Sequence, residues 1–123
     1  MKKPSLTELT LDDLLKRYTA AAIAQGVATE SGNSNKGNRA ADLLVAINRE
    51  LRRRGAEAHQ SLLKLLSHAD PAVRGWAGCH ALEFAPREAE QALEEVARIP
   101  KSPIAFTAEW TLREWKAGRL RIP

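Results

Sequence analysis

With a single cysteine, Cys79, in 123 residues, the chain cannot form an internal disulfide, and it fits a reducing, cytoplasmic setting. Long apolar runs are also missing. The longest uncharged stretch, Tyr18 to Thr29, is too short and too polar to span a bilayer. The N-terminus MKKPSLTELT has two lysines with no apolar segment behind them, so no secretory signal is expected. No segment alternates polar and apolar residues with period two, which argues against a sheet. No GxxxxGK[ST], HExxH, CxxC or HxH spacing occurs. No phosphate loop, metal site or cofactor is therefore expected.

What remains suits one globular domain. Hydrophobic residues make up 44% of the chain, and 34 residues are charged. A chain of this length buries roughly two-thirds of its unfolded surface. The net charge of +4 is uneven. Residues 1–54 hold ten Lys/Arg against six Asp/Glu, whereas residues 55–123 hold nine of each. The densest run is Arg49-Glu50-Leu51-Arg52-Arg53-Arg54.

Apolar spacing and capping residues predict six helices. The first covers Leu11 to Ala28, with Thr10 as N-cap and Asp12 and Asp13 at the positive end of the dipole. Its Leu11, Leu14, Leu15, Tyr18 and Ala22 share a face, and the small run Thr19-Ala20-Ala21-Ala22 lets another helix come close. Residues 30–38, ESGNSNKGN, read as a loop. The second helix runs from Arg39 to Arg54 on Leu43, Leu44, Ile47 and Leu51, and Gly55 stops it. The third covers Ala56 to His68. The fourth starts at Asp70-Pro71 and runs to Phe84, the fifth covers Pro86 to Arg98, and the sixth starts at Ser102-Pro103 and runs to Ala117. Proline fits the first helical position because its missing N–H has no partner there anyway.

The third–fourth and fifth–sixth pairs superpose at an offset of 31 residues: Leu62 on Leu93, Leu65 on Val96, Val73 on Ile104, Ala77 on Ala108, Phe84 on Trp115. A repeat of that period marks a helical solenoid. The run Leu62-Leu63-Lys64-Leu65-Leu66-Ser67-His68-Ala69-Asp70-Pro71-Ala72-Val73-Arg74-Gly75-Trp76-Ala77 resembles a HEAT repeat, in which an L-x-x-L-L helix turns at Asp-Pro into a V-R-x-x-A helix. In the second copy the residue before the proline is Ser102, and Phe106 stands near the position of the arginine. Over its whole length the chain also resembles short bacterial HEAT-like proteins of unassigned function, notably in the ending Glu109-Trp110-Thr111-Leu112-Arg113-Glu114-Trp115. The resemblance implies a short right-handed α–α superhelix. Its three hairpins would cover residues 10–54, 56–85 and 86–117, with a tail at 118–123 and the first hairpin as a degenerate cap.

Chemistry-bearing groups are sparse. Cys79 and His80 are adjacent on one helix, so their side chains point about 100° apart and cannot easily form a nucleophile–base pair. His80 lies on the apolar stripe and reads as a core histidine, and Cys79 as a small hydrophobe. His59, His68 and His80 lack ligand spacing. The carboxylate pairs Asp12-Asp13 and Glu94-Glu95 fall on exposed faces, and no carboxylate is expected within an apolar stripe, so catalytic residues are expected to be absent.

Two surfaces stand out. On the last helix Phe106, Trp110 and Ala117 form a second apolar stripe, away from the core stripe Ile104-Ala108-Thr111-Trp115. We expect the tail to cover it through Leu120 and Ile122; otherwise it is a docking surface, since tryptophan and arginine concentrate at binding hot spots. Arg113 and Arg74 are candidate protein contacts toward the inner surface of the solenoid, and the plain structural role of Arg74 is to pair with an acidic group near the turn between its helices. The other surface is the basic cluster Arg49, Arg52, Arg53 and Arg54, with Lys16, Arg17 and Arg39, a candidate for polyanions. Helix-end electrostatics explain part of that cluster, and no aromatic is interleaved to stack bases. The leading reading is a non-enzymatic protein-interaction module or small adaptor, a monomer or weak homodimer, whose role could include neutralising its partner. Weak nucleic-acid binding is the alternative, since HEAT-like DNA-repair glycosylases show that the fold allows it. An enzyme ranks last.

Overall fold

The computed structural model describes residues 5–123. Helix α1 spans Leu11–Ser31, α2 Ser34–Arg54, α3 Ala56–Lys64, α4 Pro71–Ala81, α5 Pro86–Ala97 and α6 Pro103–Lys116. Single 3-10 turns occupy Leu6–Glu8 and Leu65–Ser67. No strand occurs among the described residues, so the fold is all-α with six helices, as the periodicity predicts. Consecutive helices pack on one another, consistent with a helical superhelix. None of the described helices is long and apolar enough to cross a membrane.

The local start and stop chemistry works as expected. Thr10 accepts the amide of Asp13 at 3.1 Å, Asp70 that of Ala72 at 2.8 Å and Ser102 that of Ala105 at 3.3 Å. Gly55 ends α2 with φ at 86°, a conformation that side chains disfavour.

The segment 30–38 departs from expectation. The link is only Gly32 and Asn33: Gly32 reverses the chain at φ 74°, and Asn33 accepts the amide of Lys36 at 3.2 Å. Helix α2 therefore begins five residues before Arg39. Ser34-Asn35-Lys36-Gly37 is a poor helix former, but Gly37 is buried against Ala28 of α1, and packing outweighs propensity here. Smaller shifts follow the same logic. α3 tightens into the 3-10 turn before His68, and α4 stops at Ala81 rather than Phe84.

Two apolar clusters form the core. The first gathers Leu14, Tyr18, Leu44, Ile47, Leu51, Leu62 and Val73 from α1 to α4. The second gathers Leu82, Ala89, Leu93, Val96, Ala108 and Leu112 from the α4 end, α5 and α6. Leu66 and Phe84 pack against both. Helix α1 touches α4 and also α6, beyond its neighbour in sequence. The crossing is at Gly26, where a Cβ would stand 2.8 Å from Ala72 Cβ and 3.4 Å from Ile104 Cδ1. Only a glycine lets α1 approach this closely.

Candidate binding surface

Helix α6 divides its residues between two faces, as its spacing predicts. Ala105, Ala108, Thr111 and Leu112 are buried, and Ile104 and Trp115 pack against the second cluster. Phe106 and Trp110, one turn apart, are left 69% and 46% exposed. The tail does not cover them, contrary to expectation. Gly118 takes a φ of 75°, and the amides of Arg119 and Leu120 both return to the Glu114 carbonyl. This reversal sends Leu120 and Ile122 onto the second cluster, which also gathers Phe84 and Trp115. Arg52 then holds the tail by donating from Nη2 to the Ile122 carbonyl at 3.0 Å. Ala117 lies past the last residue of α6 and is exposed.

Behind Trp110 a cleft of about 230 Å³ opens between α1, α4 and α6. Its walls include Trp76, Trp110, Ile104, Leu93, Gly75 and Gln25. Trp76 Nε1 donates to Gln25 Oε1 at 3.2 Å, and Gln25 Nε2 donates to Thr29 Oγ1 at 3.0 Å. The hydroxyls of Thr29, Thr107 and Thr111 donate to the carbonyls of Gln25, Pro103 and Thr107. In the sequence Trp76 and Trp110 stand 34 residues apart, on the fourth and sixth helices, and nothing local brings them together. That pairing depends on how α1, α4 and α6 meet.

Arg113 is exposed and pairs with Glu109 at 3.6 Å. Among the described residues Arg74 has no acidic partner, which corrects the expected pairing: its Nε is buried without a hydrogen-bond partner. Neither arginine lines the cleft.

The basic cluster is largely occupied. Arg53 donates to both oxygens of Glu50, at 2.8 and 2.7 Å, and Arg54 Nε donates to Glu50 Oε2 at 2.7 Å. Arg54 Nη2 also reaches the carbonyls of Leu6, Thr7 and Leu9, tying the N-terminal segment to α2. Arg52 donates to Glu83 as well as to the tail. Of the four clustered arginines only Arg49 projects without one of these bonds; it is exposed, as are Lys16, Arg17 and Arg39. Glu50 itself is buried, which corrects the expectation that no carboxylate lies on an apolar stripe. The hydrogen bonds from Arg53 and Arg54 lower its pKa to about 2. Its signal was in the sequence: an acid three and four residues before two arginines can meet both on one helix face.

Burial keeps Cys79 and His80 neutral. It raises the Cys79 thiol to about 11, with Glu83 adding to the shift, and lowers His80 to about 3, with Arg52 adding. His80 Nδ1 is hydrogen-bonded to the Tyr18 hydroxyl at 2.7 Å, so the core histidine expected from the stripe is satisfied. Among the described residues no three His, Cys, Asp or Glu side chains gather as metal ligands would.

Fold and surface together define a class: a small all-α protein of consecutively packed helices that leaves one aromatic face open. Residues 12–115 match the model of a family described as a domain of unknown function, DUF2019, and the chain belongs to that family. It is similar in structure to the protein RPA1889 from Rhodopseudomonas palustris CGA009. The sequence identity is 25% and the TM-score 0.86, over 97% of this chain and 98% of that one. No curated protein matches the chain.

Proposed function

We propose that the chain is a non-enzymatic protein-interaction module, a short HEAT-like superhelix that docks a partner protein through the Phe106–Trp110 face of α6. The observation that supports it is the exposure of these two aromatics, one turn apart on a well-packed helix, while the tail passes elsewhere. Large rigid aromatics give contact area at little entropic cost, which is why they anchor interfaces. The partner presents an apolar patch rather than a charged one, because Arg113 is already paired with Glu109 beside the face. The protein is a monomer or weak dimer before it meets that partner, and its lone cysteine favours a cytoplasmic setting. Nucleic-acid binding ranks below this reading, since Arg52, Arg53 and Arg54 have internal acceptors.

The test is a capture experiment with three baits: the native chain, a Phe106→Ser/Trp110→Ser variant and an Arg49→Ala variant. A protein retained by the first and third but not the second is then purified and titrated. A loss of at least about tenfold in affinity for the double variant supports the reading. Equal binding by all three baits, or loss with Arg49→Ala alone, overturns it.

A further inference from the structure

We propose that the cleft between α1, α4 and α6 is a binding site for a small, neutral aromatic molecule of one or two rings. This goes beyond the partner-docking face, although Trp110 serves both.

Size comes first. The cleft holds about 230 Å³. An apolar cavity of about 150 Å³ accepts benzene, and drug-sized sites start near 300 Å³. The cleft therefore suits a fragment of about ten heavy atoms.

Chemistry comes second. The indoles of Trp76 and Trp110 and the aliphatic Leu93 and Ile104 make the walls apolar. Most wall polar groups are already engaged: Gln25 with Trp76 and Thr29, and the three threonine hydroxyls with backbone carbonyls, which leaves the Trp110 indole N–H and the neutral Cys79 thiol as uncharged free groups. A charged ligand would be desolvated with no charged partner among the wall residues, whereas a neutral ring stacks on the indoles.

The third observation is an unfilled position. Helix α4 carries two glycines inside its length, and glycine weakens a helix interior relative to alanine. Gly78 has a packing reason, since a Cβ there would stand 2.9 Å from Leu93 Cγ. Gly75 has none, because the nearest atom to its Cβ would be Ile104 Cγ2 at 4.0 Å. Gly75 lines the cleft, and its missing side chain keeps the cleft open.

The three tryptophans supply the readout. Trp76 and Trp110 line the cleft, whereas Trp115 packs with the second cluster and serves as internal control. The ¹⁵N-labelled chain is titrated with 2-naphthol while the indole N–H peaks are followed. The Trp76 and Trp110 peaks shift with a dissociation constant of about 10⁻⁴ M, in the range for a fragment, and Trp115 stays. 2-Naphthoate, the anionic analogue, binds at least about tenfold more weakly. Gly75→Leu fills the cleft and abolishes the shift while thermal unfolding stays cooperative. Should that variant fail to fold, Trp110→Ala removes one wall and weakens binding at least about tenfold. Equal shifts at all three tryptophans, equal binding of naphthoate, or binding that survives the filled cleft each overturns the proposal. N-acetyl-tryptophanamide binding more tightly than indole also overturns it, because the cleft would then be built for a partner's side chain.

Discussion

At the end of α2 four arginines fall within six residues, and three of them are held by internal acceptors: Glu50, Glu83 and carbonyls from both ends of the chain. On α6 two aromatics fall one turn apart, and both face outward. Of the two, the arginine cluster looks more like a ligand site in the sequence, yet three of its four side chains are bound into the fold. The aromatic pair looks like core waiting for a cover, yet none of the described residues covers it. A charge cluster next to chain ends finds carbonyls and carboxylates within reach of its long side chains. An apolar stripe on a terminal helix is covered only if the chain beyond it turns the right way.

If the arginine end is structural, its substitutions should show in stability. Arg54→Ala removes the group bridging Glu50 and three carbonyls of the N-terminal segment. A loss of about 2 kcal/mol in denaturant unfolding is expected, since several charge-assisted hydrogen bonds go at once. No change in the unfolding midpoint would return the cluster to the surface and reopen the polyanion reading.

Deleting residues 119–123 removes Leu120 and Ile122 from the second cluster and leaves Arg52 without its tail acceptor. A cost of about 1–2 kcal/mol follows from the lost burial. In a background carrying Trp76→Phe and Trp110→Phe, the emission of Trp115 should move to the red. If instead only Trp110 responds, in the converse background, the tail lies over the aromatic face.

Glu50 connects the arginine end to pH. Its carboxyl moves from about 4.5 in the unfolded chain to about 2 in the fold. A depressed pKa contributes stability that is present above about pH 4.5 and is lost as the pH falls toward 2. Glu50→Gln should therefore be less stable at neutral pH and show a shallower decline across that acid window. Parallel acid limbs for the two proteins would mean that the arginines do not hold this carboxylate.

The smallest effect is expected on the other surface. Phe106→Ser removes a ring that is 69% exposed and should alter stability by no more than about 0.5 kcal/mol. A larger loss, seen as a lower melting temperature at equal concentration, would show that the face is covered in solution.

Legibility in the sequence followed the range of the interaction. Thr10, Asp70-Pro71, Ser102-Pro103 and Gly55 act on amides or carbonyls a few residues away, so their roles could be read without neighbours. The two faces of α6 were legible too, because helical spacing sorts residues before anything packs on them. Residues 34–38 were not, because their helix depends on Gly37 meeting Ala28 of another helix. The cleft is not legible in the sequence for the same reason, as its walls come from positions 25, 76 and 110.

What the sequence determined alone was helix content, helix starts and the sides of each helix that turn inward, all set by local hydrogen bonding and a period of 3.6 residues. Only the tertiary structure decided which surplus groups stay free. Gly26 lets α1 lie across Ala72 and Ile104, which brings Trp76 and Trp110 together, and the turn at Gly118 carries the tail to Arg52 instead of Phe106. Those outcomes rest on close approach between distant segments, and apolar pattern does not encode which face a neighbouring segment will meet.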